Sequence, residues 1–264
     1  MPNQNYKLGK RPFEPSPHDF KLTPELLTTP LPPIPTRQFG HGTLFADGDS
    51  ATGWKMLGND GAGDCVEASG AHQTMMFTRL GHHVAYFDKG EVLAEYSAVT
   101  GYDPSDPNSD QGTNVRDFLS YRRKTGMKDI NGNRHKIDAY VSIDPGDWDL
   151  MLRCVWTFGA AELGIECQEN IFDQFDAGEP LTYDSKAQII GGHDIPVVAS
   201  RNPTKEVTAI SWGGRLRISK DYYEHRNDET WIPLSFEQML SSGYNVRHID
   251  KATLDEMLKA LPTS

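Results

Sequence analysis

The sequence predicts an α+β fold in which a helical lobe precedes a sheet lobe. Three observations predict it. Apolar residues recur at helical spacing through the first half of the 264-residue chain. They alternate in short runs through the last third. Between a proline-rich start and the first helix, a glycine-rich turn, Gly58-Asn59-Asp60-Gly61-Ala62-Gly63-Asp64, delivers Cys65 to the helix start.

Residues 1–35 hold nine of the 17 prolines and end Pro30-Leu31-Pro32-Pro33-Ile34-Pro35. Proline fixes φ and lacks an N–H, so this segment is an extended arm rather than a helix or central strand. It lies over the domain surface or docks a partner subunit; composition alone does not choose. Residues 36–264 form the domain. The helical lobe spans about 55–130, the sheet lobe about 137–220, and a helical C-terminal extension 221–264.

From Cys65, the apolar positions Val66, Ala68, Ala71, Met75, Met76 and Leu80 predict a helix that Gly81 stops. A second helix covers Lys89–Val99. Residues 101–112 form a turn-rich loop, and Thr113 or Asn114 caps a third helix through Lys124, ended by Gly126. A strand over Ile137–Ile143, the Pro145-Gly146 break and a helix over 147–158 follow. Leu163, Ile165 and Cys167 alternate as in a half-buried strand. Strands are expected at Asp194–Ala199, Glu206–Ser211 and Arg215–Ser219, and terminal helices at Ser235–Leu240 and Ala252–Leu261.

Net charge is −11, from 37 acids against 26 bases, which disfavours nucleic acid and anionic membranes as partners. No apolar run reaches membrane-spanning length, and the N-terminus lacks a secretory apolar core. Three cysteines, an odd number, argue against a disulfide framework and for a reducing compartment: the cytoplasm, or a particle assembled there.

The chemistry concentrates at two places. A helix N-terminus carries partial positive charge and free N–H groups, which favour a thiolate at Cys65. Gly191-Gly192-His193-Asp194-Ile195 puts a histidine just ahead of an apolar strand, 128 positions later. Taken alone, Cys65 is a nucleophile or a small core hydrophobe, and His193 a general base or a satisfied core histidine. Asn59 is an oxyanion donor or ordinary turn chemistry beside Asp60-Gly61. Cys154 and Cys167 sit among apolar neighbours and read as core. His72, His82 and His83 lack metal-ligand spacing, so no metal site is expected, and no cofactor. Gly191-Gly192 and Gly213-Gly214 are not phosphate loops.

The pattern resembles the papain-like cysteine peptidase superfamily across roughly residues 30–220. Asn59 stands six residues before Cys65, where the family keeps an oxyanion-hole glutamine. Gln111-Gly112-Thr113-Asn114-Val115-Arg116-Asp117-Phe118-Leu119-Ser120-Tyr121 looks like its glycine-led helix ending in an aromatic. Trp148 to Phe175 resembles its helix, strand and aromatic segment, and Gly192-His193-Asp194-Ile195-Pro196-Val197-Val198 its histidine strand. Ser211-Trp212-Gly213 matches the tail of its Asn-Ser-Trp-Gly motif. The compact chain, without signal peptide or long prodomain, is also similar to bacteriophage-encoded papain-fold proteins. Asp64-Cys65 with its following helix looks like the bacteriocin-leader peptidases, which share the fold.

The resemblance implies a two-lobed fold, the cysteine helix packed on an antiparallel sheet or barrel. Cys65 would be the nucleophile, His193 the base, Asn59 the oxyanion donor and a peptide or protein the substrate. Four departures stand out. Ile210 occupies the place of the histidine's orienting asparagine, Asp64 that of a small residue, Val66 that of a tryptophan, and Asn59 that of a glutamine. Ser211 is the candidate substitute for orienting His193, and Trp212 the aromatic packing near it. The same departures open a second class: a papain-fold structural or binding protein that has lost catalysis, such as a virion or assembly component.

Overall fold

A computed structural model describes residues 6–23 and 30–240, together with Asn245, Ala252, Thr253 and Glu256. In chain order its elements are β1 (Phe39–Gly40), α1 (Cys65–Leu80), α2 (Lys89–Thr100), α3 (Val115–Lys124), β2 (Met127–Lys128), β3 (Arg134–His135), β4 (Ala139–Ile143), α4 (Trp148–Phe158), β5 (Ala161–Gln168), α5 (Ile171–Asp176), β6 (Pro180–Leu181), β7 (Ile189–Asn202), β8 (Glu206–Ser211), β9 (Gly214–Ser219), α6 (Lys220–Arg226) and β10 (Asn227–Leu234). One large sheet runs β4-β10-β5-β7-β8-β9-β6, with β1 added to β7; β2 and β3 form a separate pair. All pairings in the large sheet are antiparallel except β6 with β9.

The core has two parts. One centres on α1 and gathers Trp54, Val66, Met75, Met76, Phe77, Val92, Phe118 and Ile210. The other lies against the sheet and gathers Leu163, Ile165, Val197, Leu216, Ile218 and Tyr222 with Met151, Cys154 and Val155 of α4. Cys154 and Cys167 are fully buried in the second, as their apolar neighbours imply. α1 has an unusual surround: all of its residues except Arg79 are buried, so it is a central helix rather than a one-sided surface helix.

Local signals set most boundaries. Asn114 caps α3 by accepting a bond from Asp117 N at 3.3 Å, and Asp147 caps α4 by accepting one from Leu150 N at 3.0 Å. Gly101 ends α2 in the left-handed region.

The C-terminal expectation needs correction. The segment from 221 is not a helical extension, because β10 returns into the sheet between β4 and β5. Pro233 fits there: it pairs with Tyr140 of β4, while the ladder to β5 ends at Trp231, leaving that side without a demand for an N–H. The expected helix at Ser235–Leu240 is a 3-10 turn over Phe236–Gln238. Of the helix expected over 252–261, all but Ala252, Thr253 and Glu256 lies outside the described residues. The histidine strand is longer than expected, 189–202 rather than 194–199.

Candidate functional site

Cys65 opens α1, and its side chain is buried, 1 % exposed. The backbone amides of Asp194 and Gly9 turn toward its sulfur, so α1 delivers the thiol to β7 at the residue that follows His193. Burial pushes the thiol pKa well up, against the pull of these amides.

His193 is also buried, 1 % exposed. Its Nε2 lies 2.6 Å from Ser211 Oγ, and its Nδ1 is buried with no hydrogen-bond partner. Burial lowers its pKa to about 3. Ser211 is thus the hydrogen-bond partner of the imidazole. Ile210, one residue earlier, faces the other way into the α1 core, as strand alternation requires.

Trp212 stacks on the imidazole, ring centroids 4.5 Å apart and 15° from parallel. It sits with Gly213 in the two-residue turn joining β8 to β9, and both have positive φ, 48° and 76°. A tryptophan in that region is strained. Packing against His193, Tyr6, Phe172 and Phe175 holds it there.

Asn59 is buried in the turn before Cys65, where its side-chain amide donates to Ala62 O at 3.2 Å. That bond closes the turn, and the same side chain also reaches the Asp64 carboxyl. Asp64 is fully buried at the N-cap of α1, and burial drives its carboxyl pKa well up. Asp64 is also among the charges that raise the Cys65 thiol pKa, so it opposes a thiolate as its sequence position suggests.

His72 is structural: buried on α1, its Nε2 reaches Trp54 O at 2.8 Å and Lys55 O at 3.1 Å. His83 pairs with Glu237 on the surface. No cluster among the described residues has the make-up of a metal site.

Sequence reasoning missed two features. The first is the course of the arm. Lys7 N donates to Asn59 O at 2.9 Å, Thr113 N to Gly9 O at 2.8 Å, Lys10 N to Gly192 O at 3.1 Å and Arg11 N to Thr113 O at 3.0 Å. Trp212 Nε1 donates to Lys7 O at 3.3 Å. Residues 7–11 are therefore threaded between the loop before Cys65, the start of α3 and the start of the histidine strand. Lys10 is buried there, while Lys7 and Arg11 remain exposed. The approach at Gly9 is so close that a methyl there would stand 1.8 Å from Gly63 O.

The second is a set of buried acids on the sheet face behind the thiol. Glu229, Gly164 and Asp194 are in register across β10, β5 and β7, and so share a face. Glu162 lies two residues from Gly164 on the same strand. It is also fully buried, accepts from Gln73 Nε2 and lies 3.7 Å from Arg122 Nη1. On α1, Glu67 Oε1 accepts from Thr113 Oγ1 at 2.8 Å. Burial raises the carboxyls of Glu67, Asp194 and Glu229, Asp194 further through Glu162 beside it. Only strand register groups these acids, and register is invisible in sequence spacing.

No protein-family model and no curated protein matches the chain. Solved structures do. Xylellain, a cysteine protease from Xylella fastidiosa, aligns with TM-score 0.63 at 13 % identity, over 89 % of this chain and 98 % of that one. Procathepsin B S9 from Trypanosoma congolense aligns with TM-score 0.55 at 13 % identity, over 87 % of each chain. The Carica candamarcensis cysteine protease CMS1MS2, solved with E-64, aligns with TM-score 0.52 at 13 % identity, over 76 % of this chain and 99 % of that one. Likeness at such identity speaks to architecture rather than activity, and none of these three is a phage protein. The two-lobed arrangement, with a cysteine helix packed on an antiparallel sheet, is the papain-like cysteine protease fold.

Proposed function

We propose that this chain is a cysteine peptidase whose nucleophile is Cys65 and whose general base is His193. The observation that carries the reading is the 2.6 Å contact between His193 Nε2 and Ser211 Oγ, which leaves Nδ1 unpartnered beside the strand residue whose amide faces the thiol. With Nε2–H donating to Ser211, Nδ1 holds the lone pair. It takes the thiol proton as sulfur attacks the substrate carbonyl. The backbone N–H of Cys65 and the side-chain amide of Asn59 stabilise the oxyanion. Imidazolium Nδ1–H then protonates the departing amine, and water, deprotonated by the same nitrogen, releases the acyl group.

Alkylation tests it. Iodoacetamide or an epoxide probe followed by peptide mapping is expected to modify Cys65 ahead of Cys154 and Cys167. Equal rates at all three would sink the proposal.

A second reading has its own support. Cys65 and His193 are both fully buried, burial favours the neutral thiol and imidazole, and the arm fills the cleft. A chain held permanently in this state is a structural or binding protein on a papain-like scaffold, with other protein subunits as its partners. Peptide hydrolysis by the wild type that is lost in Cys65→Ala, with assembly intact, rules this reading out.

A further inference from the structure

Lys10 is a fully buried lysine, its side chain 1 % exposed. Its Nζ donates to Asp228 Oδ2 at 2.7 Å, Glu229 Oε1 at 3.0 Å and Arg11 O at 3.0 Å, so all three ammonium hydrogens are used. The stem passes over Gly164, where a Cβ would meet Glu229 Cγ at 2.5 Å and both Asp228 Oδ1 and Lys10 Cε at 2.8 Å. The missing side chain at 164 thus creates the space that the lysine fills.

The walls are acidic beyond this pair. Asp194, 2 % exposed, stands opposite Gly164 in the ladder, with Glu162 beside it. The backbone around Lys10 is held by generic peptide groups. Lys10 N bonds Gly192 O, and the flanking Gly9 O and Arg11 N bond Thr113. An extended peptide with glycine at the Gly9 position can make those bonds. Its residue at the Lys10 position would direct its side chain into the same pocket.

We infer that the pocket formed by Asp228, Glu229 and Gly164 is a recognition site for a lysine or arginine side chain of a bound peptide, and that Lys10 of the chain's own arm occupies it as an internal stand-in. This rests on the cleft being a peptide cleft, but not on turnover. A neutral side chain would leave Glu229 buried, and Asp228 half-buried, without a counter-charge, so the site discriminates by penalty as well as attraction. Lysine and arginine are both accommodated by charge; the pair of carboxylates also suits the guanidinium fork.

The test uses the full-length chain carrying Gly9→Ala and Lys10→Ala, which loosens the arm. The probe is a fluorescein-labelled synthetic peptide copying residues 6–12, and its twin with norleucine at the Lys10 position. Anisotropy is expected to show at least tenfold tighter binding of the lysine peptide, and the preference is expected to vanish when Glu229→Gln is added. Equal affinities, binding of neither peptide, or a preference that survives Glu229→Gln overturns the inference. A fold-independent check uses the wild-type arm. Glu229→Gln alone is expected to speed iodoacetamide modification of Cys65 at least threefold by weakening the lysine's seat, and an unchanged rate counts against it. A chain that cleaves peptides with no preference for basic residues loses the pocket and keeps the peptidase. A chain that binds the lysine peptide without cleaving anything keeps the pocket and loses the peptidase.

Discussion

His193 Nε2 meets Ser211 Oγ at 2.6 Å, while Ile210, the residue before that serine, is buried in the core around α1. Adjacent residues on β8 face opposite ways, so only one can reach the imidazole, and in this chain it is the serine. Removing it costs one buried hydrogen bond, about 1–2 kcal/mol or roughly 5- to 30-fold. Ser211→Ala is expected to lower kcat by that factor with KM little changed, and to broaden the pH profile of Cys65 alkylation. Ile210→Asn is expected to rescue nothing. It instead destabilises the fold by about 1–3 kcal/mol by burying an amide among apolar side chains. An Ile210→Asn chain with improved turnover would show that the orienting role belongs to position 210.

Gly9 lies against Gly63 with no room for a Cβ, and its amide faces the Cys65 sulfur. Gly9→Ala therefore cannot keep the arm seated. The contact involves backbone on both sides, so no rotamer change relieves it. The variant is expected to raise the rate of Cys65 alkylation at least tenfold while Cys154 and Cys167 stay unreactive. Differential scanning fluorimetry should show a clear fall in Tm, because unseating the arm withdraws Tyr6 and Leu8 from the sheet core and Lys10 from buried Glu229. Labelling at the wild-type rate would mean that the arm does not shield the thiol.

Much of the fold was legible because its signals are local. The apolar period of α1, the Asn114 cap and the alternation of β8 are each contained within a few residues, and the structure keeps them. β10 was not legible. Its first half is Asn227-Asp228-Glu229-Thr230, which reads as solvated turn, and only pairing with β5 and the charge of Lys10 explain why Glu229 is buried. The candidate site divides in the same way. Cys65, His193 and Asn59 announce themselves by flanking glycines and the following helix or strand. Lys10, Asp194, Glu162 and Glu229 become neighbours only through chain crossing and strand register. Ser211 was visible as a candidate because of its place beside Trp212-Gly213, but the bond to His193 is a tertiary fact.

Asp194 gives a prediction with a definite sign. Burial and Glu162 raise its folded-state pKa well above its unfolded value near 3.9. The folded chain therefore holds a proton that the unfolded chain releases once pH passes about 4. Its contribution to stability is fully present below that value and is lost as pH rises toward the folded pKa. Asn at this position mimics the neutral acid at every pH. Asp194→Asn is expected to gain in Tm relative to wild type as pH goes from 5 to 8. The buried histidines act in the opposite sense at low pH, His193 at about 3 and His72 at about 4, but they are common to both proteins and cancel in the comparison. A Tm difference that shrinks as pH rises would show that Asp194 is ionised in the folded chain.

Arg122 is the remaining charge in this buried region, 1 % exposed, with Nη1 donating to Gln73 Oε1 at 2.6 Å and lying 3.7 Å from Glu162 Oε2. Gln73 in turn donates to Glu162, so the glutamine relays between cation and anion. Arg122→Met leaves Glu162 buried beside Asp194 without a counter-charge, and removing one partner of a buried pair costs about 3–5 kcal/mol. Urea unfolding should show that loss as a lower midpoint with an unchanged slope. Adding Glu162→Gln removes the stranded anion, so the double variant is expected to recover most of the loss. If Glu162→Gln instead adds its own full cost to that of Arg122→Met, the two are not coupled. The arginine would then act by packing on Phe118, whose ring centroid lies 5.9 Å from its guanidinium carbon.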